Sequence, residues 1–335
     1  MIILKKNYAS LESSASNLYE MTDEDIIRMH ETLLDIYDDL FAVCDKYGIK
    51  MIAGGGTSLG AVRHKGFIPW DDDMDLNMPR EDYEKLIEVF DKELGDRYDL
   101  LAPGYKAGAN CFLMRVMKKG TTLLNMIDEK SPYPTGIYID ITPIDYAPEN
   151  IIALQFKGIT ADLLRLISYS VYWKQYKSDS FREFMMNSEG KTYYKARMVI
   201  GTVFSFRSAE EWFATFDKFI RGKKTNHITV AAGREKYRGA YYPVDVFYPP
   251  KLVPFEDRKI YIVNNENTYM SRLYGDYMKI PDKKNREKHL CLKLDFENSR
   301  SRETPEQEGD SNERSSDFCR WDRVKDGEQH PQAVP

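Results

Sequence analysis

The sequence predicts an α+β fold, a mixed sheet with flanking helices and a largely helical portion beside it. Three observations carry that expectation. Apolar residues from Ile26 to Tyr47 recur at the spacing of one helical face. Short runs rich in β-formers, Ile49–Ala53, Cys111–Leu124 and Ile137–Ile141, have strand length or strand alternation. From Ile151 to Phe216 the pattern turns helical and rich in Tyr, Phe and Met. With 335 residues, 42% of them hydrophobic, the chain can bury the core of one large or two modest domains.

Residues 1–21 show no periodicity and read as a loosely ordered lead-in to a main domain over 22–292. Thr22 suits a helix N-cap followed by acids in the first turn. The apolar face then runs through Ile26, Met29, Leu33, Tyr37, Leu40, Cys44 and Tyr47 and stops at Gly48. Ile49–Ala53 is expected as a buried strand that delivers a glycine turn, with a short helix over Ser58–His64 behind it. If Met74 and Leu76 point into a core, the two-residue period of a strand puts Asp73 and Asp75 together on its other face. After Pro79, the spacing of Tyr83, Leu86, Ile87 and Phe90 predicts an amphipathic helix. Phe112, Met114 and Val116 alternate as in a strand, and Ile137–Ile141 reads as a strong strand. A helical portion is expected over about 151–220. Within it Leu163–Trp173 is the most apolar piece, too short and too charged at Arg165 to span a membrane. Plain helical core is the expectation there, with a lid over an acceptor or a patch against a membrane as the rival readings. Gly233–Pro254 marks loops, Ile260–Val263 a final strand and Tyr269–Tyr277 a last helix. Residues 298–335 are almost free of aliphatic side chains and predict a disordered polar tail.

Composition narrows the function. A net charge of −5 gives no general affinity for nucleic acid. Four cysteines without a C-x-x-C pair argue against a zinc site or a disulfide framework and fit a reducing cytoplasm. No signal-peptide pattern stands at the N-terminus and no apolar run approaches the roughly 18 residues of a span. A cytoplasmic protein is expected, and contact with the inner membrane face is compatible with that.

The chemistry concentrates in Ile52–Asn77, IAGGGTSLGAVRHKGFIPWDDDMDLN. Gly54, Gly55 and Gly56 let the backbone approach a ligand and offer N–H donors, and Thr57 and Ser58 add hydroxyls, a turn suited to phosphate. Asp73 and Asp75 at strand spacing repel unless a cation neutralises them, and carboxylate oxygens suit Mg²⁺ or Mn²⁺. An acidic run by itself is most often a solvated turn; the glycines beside it shift that balance. A calcium loop counted from Asp71 fails, with Leu76 where glycine and Asp82 where glutamate is needed. No Walker P-loop occurs either. Arg63, His64 and Lys65 carry cationic heads that meet a pyrophosphate or face water with equal claim. Arg115 suits a phosphate fork, though a surface arginine is the default. Asp140, a lone carboxylate between Ile139 and Ile141, must be paired or bind metal, because an unpaired buried charge is costly. It reads as a third catalytic carboxylate, whereas Asp145 reads as a cap or turn residue.

The string GGTSLGAVRHKGFIPWDDDMDLNMPREDYEKL resembles the signature of the LicD family of phosphocholine transferases, to which fukutin-type proteins are related. GIYIDITPID at 136–145, FEDRKIYIV at 255–263 and YGDYMKIP at 274–281 with the following His289 continue the likeness in order, so that it spans Thr22 to His289. Departures at Ser58, Thr142 and Asn264 touch no carboxylate. The resemblance implies a nucleotidyltransferase-type mixed sheet. It also implies transfer of a phospho-alcohol such as phosphocholine from a CDP-alcohol donor, CDP-choline or similar, to a sugar hydroxyl of a cell-surface glycan. Teichoic acid, lipopolysaccharide or capsule, lipid-linked or not, would be the acceptor. Asp73, Asp75 and Asp140 would hold two Mg²⁺ or Mn²⁺ ions, and Gly55, Gly56, Thr57, Ser58, Arg63, His64, Lys65 and Arg115 would contact substrate. A nucleotidyltransferase that releases pyrophosphate is the rival enzyme reading. A non-catalytic glycan- or nucleotide-binding protein is the rival from another class.

Overall fold

The computed structural model describes residues 18–105, 108–283, 286 and 290–296. The polar tail over 298–335, and the lead-in as far as residue 17, lie outside them. Tyr19–Glu20 forms a two-residue strand, β1. Helix α1, Asp23–Tyr47, begins in a complete capping box between Thr22 and Asp25 and ends where Gly48 takes left-handed angles. Its buried stripe runs Met29, Leu33, Ile36, Tyr37, Leu40 and Cys44, the middle of the periodic face read from the sequence with Ile36 added, while Ile26 and Tyr47 at its ends are only half-buried.

The strand after it is shorter than expected, β2 at Ile52–Ala53, although Ile49 and Met51 are buried too. Helix α2 starts earlier than Ser58. It covers Gly55–Arg63 with Gly54 as N-cap, so the glycine turn is itself the first turn of a helix. Then come β3 at Asp75–Pro79 and α3 at Arg80–Glu93, with Tyr83, Leu86 and Phe90 buried. The Cys111–Leu124 segment is broken in two, because Gly120 turns the chain at positive φ. After β4, Tyr98–Leu101, it gives β5, Met114–Lys118, and β6, Thr122–Leu124. Strand β7, Tyr138–Tyr146, outruns the predicted one by five residues and carries Asp145 inside it.

The main sheet runs β2-β3-β7-β5-β4, with β3 and β7 parallel and the other neighbours in this order antiparallel. Met74, Leu76, Ile139 and Ile141 point from it into a core closed by α1 and α3. Four helices follow: α4 at Ile151–Tyr176, α5 at Asp179–Met186, α6 at Lys191–Val203 and α7 at Ala209–Ile220. They enclose a second, aromatic-rich core around Tyr172, Trp173, Phe213 and Phe216. Ile167, Val171, Tyr172 and Trp173 are buried there, as the plain-core reading expects, but Leu163 is exposed.

Strands β8, His227–Thr229, and β9, Tyr241–Pro243, extend the far end of β7. The predicted last strand is one arm of a hairpin, β10 at Lys251–Phe255 and β11 at Arg258–Ile262. Helix α8, Glu266–Tyr274, closes the third cluster through Tyr269 and Met270. Finally β12, Leu290–Cys291, pairs with β1, and β13, Lys293–Asp295, pairs with β6.

Candidate active site

Parallel pairing of β3 with β7 sets Asp75 directly opposite Asp140. Because residues in register on neighbouring strands share a face, their carboxylates stand side by side on the surface opposite the core. Antiparallel pairing then sets Arg115 of β5 against Asp140. The guanidinium holds that carboxylate in a fork, Nε to Oδ1 at 2.8 Å and Nη2 to Oδ2 at 3.1 Å, and lies 3.8 Å over the Tyr138 ring. The two side chains are only 12% and 18% exposed. Burial disfavours the arginine's charge, but Asp140 and Tyr138 outweigh it and hold the guanidinium protonated well above its ordinary range. Asp140 is therefore paired, and Arg115 is neither a surface residue nor turned outward.

The helix start lies against the acids. The Thr57 hydroxyl accepts the Asp75 N–H at 2.8 Å, and the Gly54 N–H donates to the Asp75 carbonyl at 2.9 Å. A β-carbon on Gly55, whose φ is +35°, would stand 3.2 Å from Asp75 Oδ2. One on Gly56 would stand 2.8 Å from Asp71 Oδ2. The positive φ favours glycine at 55, and at both positions a β-carbon would press on a carboxylate. The positive end of the α2 dipole offsets part of the carboxylates' repulsion. Ser58 is fully buried and its hydroxyl has no hydrogen-bond partner.

Asp73 falls with Asp71 and Asp72. Among the described residues, this is the group of three acids whose carboxylate oxygens come within 4.8 Å of one another. The all-oxygen set, crowded against a helix start stripped of side chains, suits a hard divalent cation. His30 braces the loop from α1, its ring stacked on Phe67 at 4.0 Å and its Nε2 donating to the Asp71 carbonyl at 2.7 Å.

Arg63, His64 and Lys65, at the end of α2, turn to neighbouring groups of the protein. Arg63 donates to the Tyr277 carbonyl at 2.8 Å and to His64 Nε2 at 2.9 Å. Burial, then the Arg63 charge, lower the pKa of His64. Lys65 takes left-handed angles and reaches the Val62 carbonyl. Two tyrosines stand at the site as well, with the Arg234 charge close enough to act on one of them. The Tyr269 hydroxyl accepts the Gly55 N–H at 3.2 Å. The Tyr274 hydroxyl would stand 3.7 Å from a Gly55 β-carbon. Its pKa is pushed up by burial first, then by Tyr269, Asp75 and Asp71, with Arg234 opposing. The YGDYMKIP stretch pointed at Tyr274, but no local signal marks Arg234.

Asp145 is not a cap or a turn. Its carboxylate takes the Arg80 fork at 2.8 and 2.6 Å, and Arg80 also holds Asp217 of α7 at 2.8 Å. This buried knot fixes the far end of β7, and so the level at which Asp140 meets Asp75.

Residues 48–146 match the LicD/FKTN/FKRP nucleotidyltransferase domain family. The chain is 28% identical, over 76% of its length and 92% of the relative, to the lipopolysaccharide cholinephosphotransferase LicD of Haemophilus influenzae. It is also 32% identical to an uncharacterized protein of Rickettsia typhi and 33% identical to one of Rickettsia prowazekii. Those two matches cover 27% and 24% of this chain and 28% and 29% of the relatives.

Proposed function

We propose, from the premise that the chain belongs to the LicD family, that this phosphotransferase moves a phospho-alcohol, phosphocholine or a close analogue. The donor is a CDP-alcohol and the acceptor a sugar hydroxyl of a cell-surface glycan. The observation that carries the reading is the convergence of Asp75 and Asp140 across β3 and β7 beside the glycine start of α2.

Asp73, Asp75 and Asp140, with Asp71 and Asp72 beside Asp73, are the residues that would hold Mg²⁺ or Mn²⁺. Bound there, such ions would neutralise charge on the donor pyrophosphate. Gly55 and Gly56 let the carboxylates of Asp75 and Asp71 stand against the start of α2, where ions held by them would meet the donor. Asp140 takes the proton of the acceptor hydroxyl as general base. Both Asp140 oxygens accept from Arg115, so Arg115 must first swing off them, which frees its fork for a phosphate oxygen. The acceptor oxygen then forms a bond to the distal phosphorus, the bond from that phosphorus to the bridging oxygen breaks, and CMP leaves with the electron pair. A cytoplasmic setting belongs to the same proposal and is supported by Cys44, Cys111 and Cys291, all free and buried.

Incubation with Mg²⁺ and CDP-choline, CDP-ribitol or CDP-glycerol, followed by chromatography of the nucleotides, tests it. Release of CMP from at least one donor is expected. Consumption of CTP with pyrophosphate release, and indifference to every CDP-alcohol, would instead establish nucleotidyl transfer.

A further inference from the structure

Helix α4 leaves one of its faces open. Ile152, Phe156, Ile159 and Leu163 recur at i, i+4, i+7 and i+11, and every one is exposed, Ile152 to 76% and Phe156 to 67%. At 1.5 Å per residue this stripe runs about 16 Å along the helix axis. The same angular position continues at Ser170 and Lys174, and there α6 covers it. The Gly201 backbone approaches so closely that a β-carbon would meet the Ser170 carbonyl. On either side of that seat α6 turns Val199 and Val203 outward, and Phe206, just beyond its end, is 71% exposed. From Lys191 to Arg207 the chain carries four basic residues, Lys191, Lys195, Arg197 and Arg207, and no acidic one. Lys191 and Lys195 are exposed, while Arg197 stacks on Trp173.

We infer that the α4 stripe and the outer side of α6 form a docking face for an anionic lipid surface. Exposed aliphatic and aromatic side chains on this scale are unusual on a monomer's exterior and mark a binding face. An apolar stripe flanked by lysines, on helices too short or too polar to span, is the pattern of a segment lying in the headgroup layer. No helix among the described residues is long and apolar enough to cross a membrane. A second copy of the chain fits worse, since a two-fold contact through α6 would bring its uncompensated cations against one another. Anionic headgroups complement them instead. A glycan acceptor carried on a lipid would lie on the same surface.

The test is sedimentation of the full chain with vesicles of phosphatidylcholine alone or with about a third phosphatidylglycerol. The anionic vesicles should retain the protein and the neutral ones much less. Phe156→Glu combined with Val203→Glu should weaken partitioning at least about ten-fold, since both side chains leave an apolar contact and add charge. Lys191→Gln with Lys195→Gln should weaken binding to the anionic vesicles only. All four sites are exposed, so an unchanged melting temperature is the control for folding. Failure of the parent chain to bind, or equal binding by the glutamate variant, overturns the inference. So does a dimer in solution that the glutamate variant splits. CDP-alcohol turnover is measured separately: vesicle binding without turnover removes the reaction and keeps this face, and turnover without vesicle binding does the reverse.

Discussion

Arg115 and Asp140 pair across two strands, and the pair sets a conflict between folding and chemistry. The fork that holds both Asp140 oxygens leaves neither free to accept a proton. Asp140→Asn should lower turnover about 10²- to 10⁴-fold, the range of a lost general base. Asp75→Asn should lower it as well, while relieving repulsion among the acids, so its melting temperature should stay level or rise without added metal. Steady-state rates and melting curves on the two variants check this. Near parental activity in either at saturating Mg²⁺ would remove that residue from the mechanism. The thiols give a second test. Burial raises Cys44 to about 12 and, as the largest cause, Cys111 and Cys291 to about 11. A thiolate forms only near those values, so alkylation at these positions should remain slow from pH 7 to about 9, where an ordinary exposed cysteine reacts freely. Peptide mass mapping reads each cysteine separately.

The elements show which parts of the fold were legible. Thr22 and Gly48 bracket α1 in sequence and in structure, because caps are decided by residues three or four apart. The glycine turn could not be read as helical from the same row, since glycine gives no periodic signal. Asp140 and Arg115 were each read with a default partner, metal or water, because strand register joins residues 25 apart. Asp145 was misread for the same cause, with Arg80 lying 65 residues before it and Asp217 on another helix. That three-way contact ties α3, β7 and α7 together, and Arg221 with Glu84 extends it outward. Arg80→Met should therefore leave Asp145 without its partner and Asp217 with Arg221 alone, and cost about 3–5 kcal/mol, the range for a broken buried pair. Urea unfolding measures it. A loss under about 1 kcal/mol would show that Arg221 alone satisfies both acids.

Across the whole molecule, sequence finds the apolar residues but not the side each one faces. Leu163–Trp173 is the most apolar stretch of α4, and it is mostly interior. The exposed stripe comes before it, where nothing in the row separates Phe156 from a core residue. Register has a larger effect at the ends of the described chain. Tyr19 lies opposite Cys291, and Leu18 and Leu292 both pack on the aromatic-rich core. The path is thus nearly a closed ring. Four strand-like residues, at about 3.3 Å each, carry it from Leu292 to Phe296, so a linker of about ten residues reaches back to Leu18. A permuted chain joined there and opened at Lys177, an exposed left-handed residue between α4 and α5, keeps every strand pairing described above. It should fold with the parental circular dichroism spectrum, and its start and finish would then lie at the edge of the helical portion instead of beside the sheet.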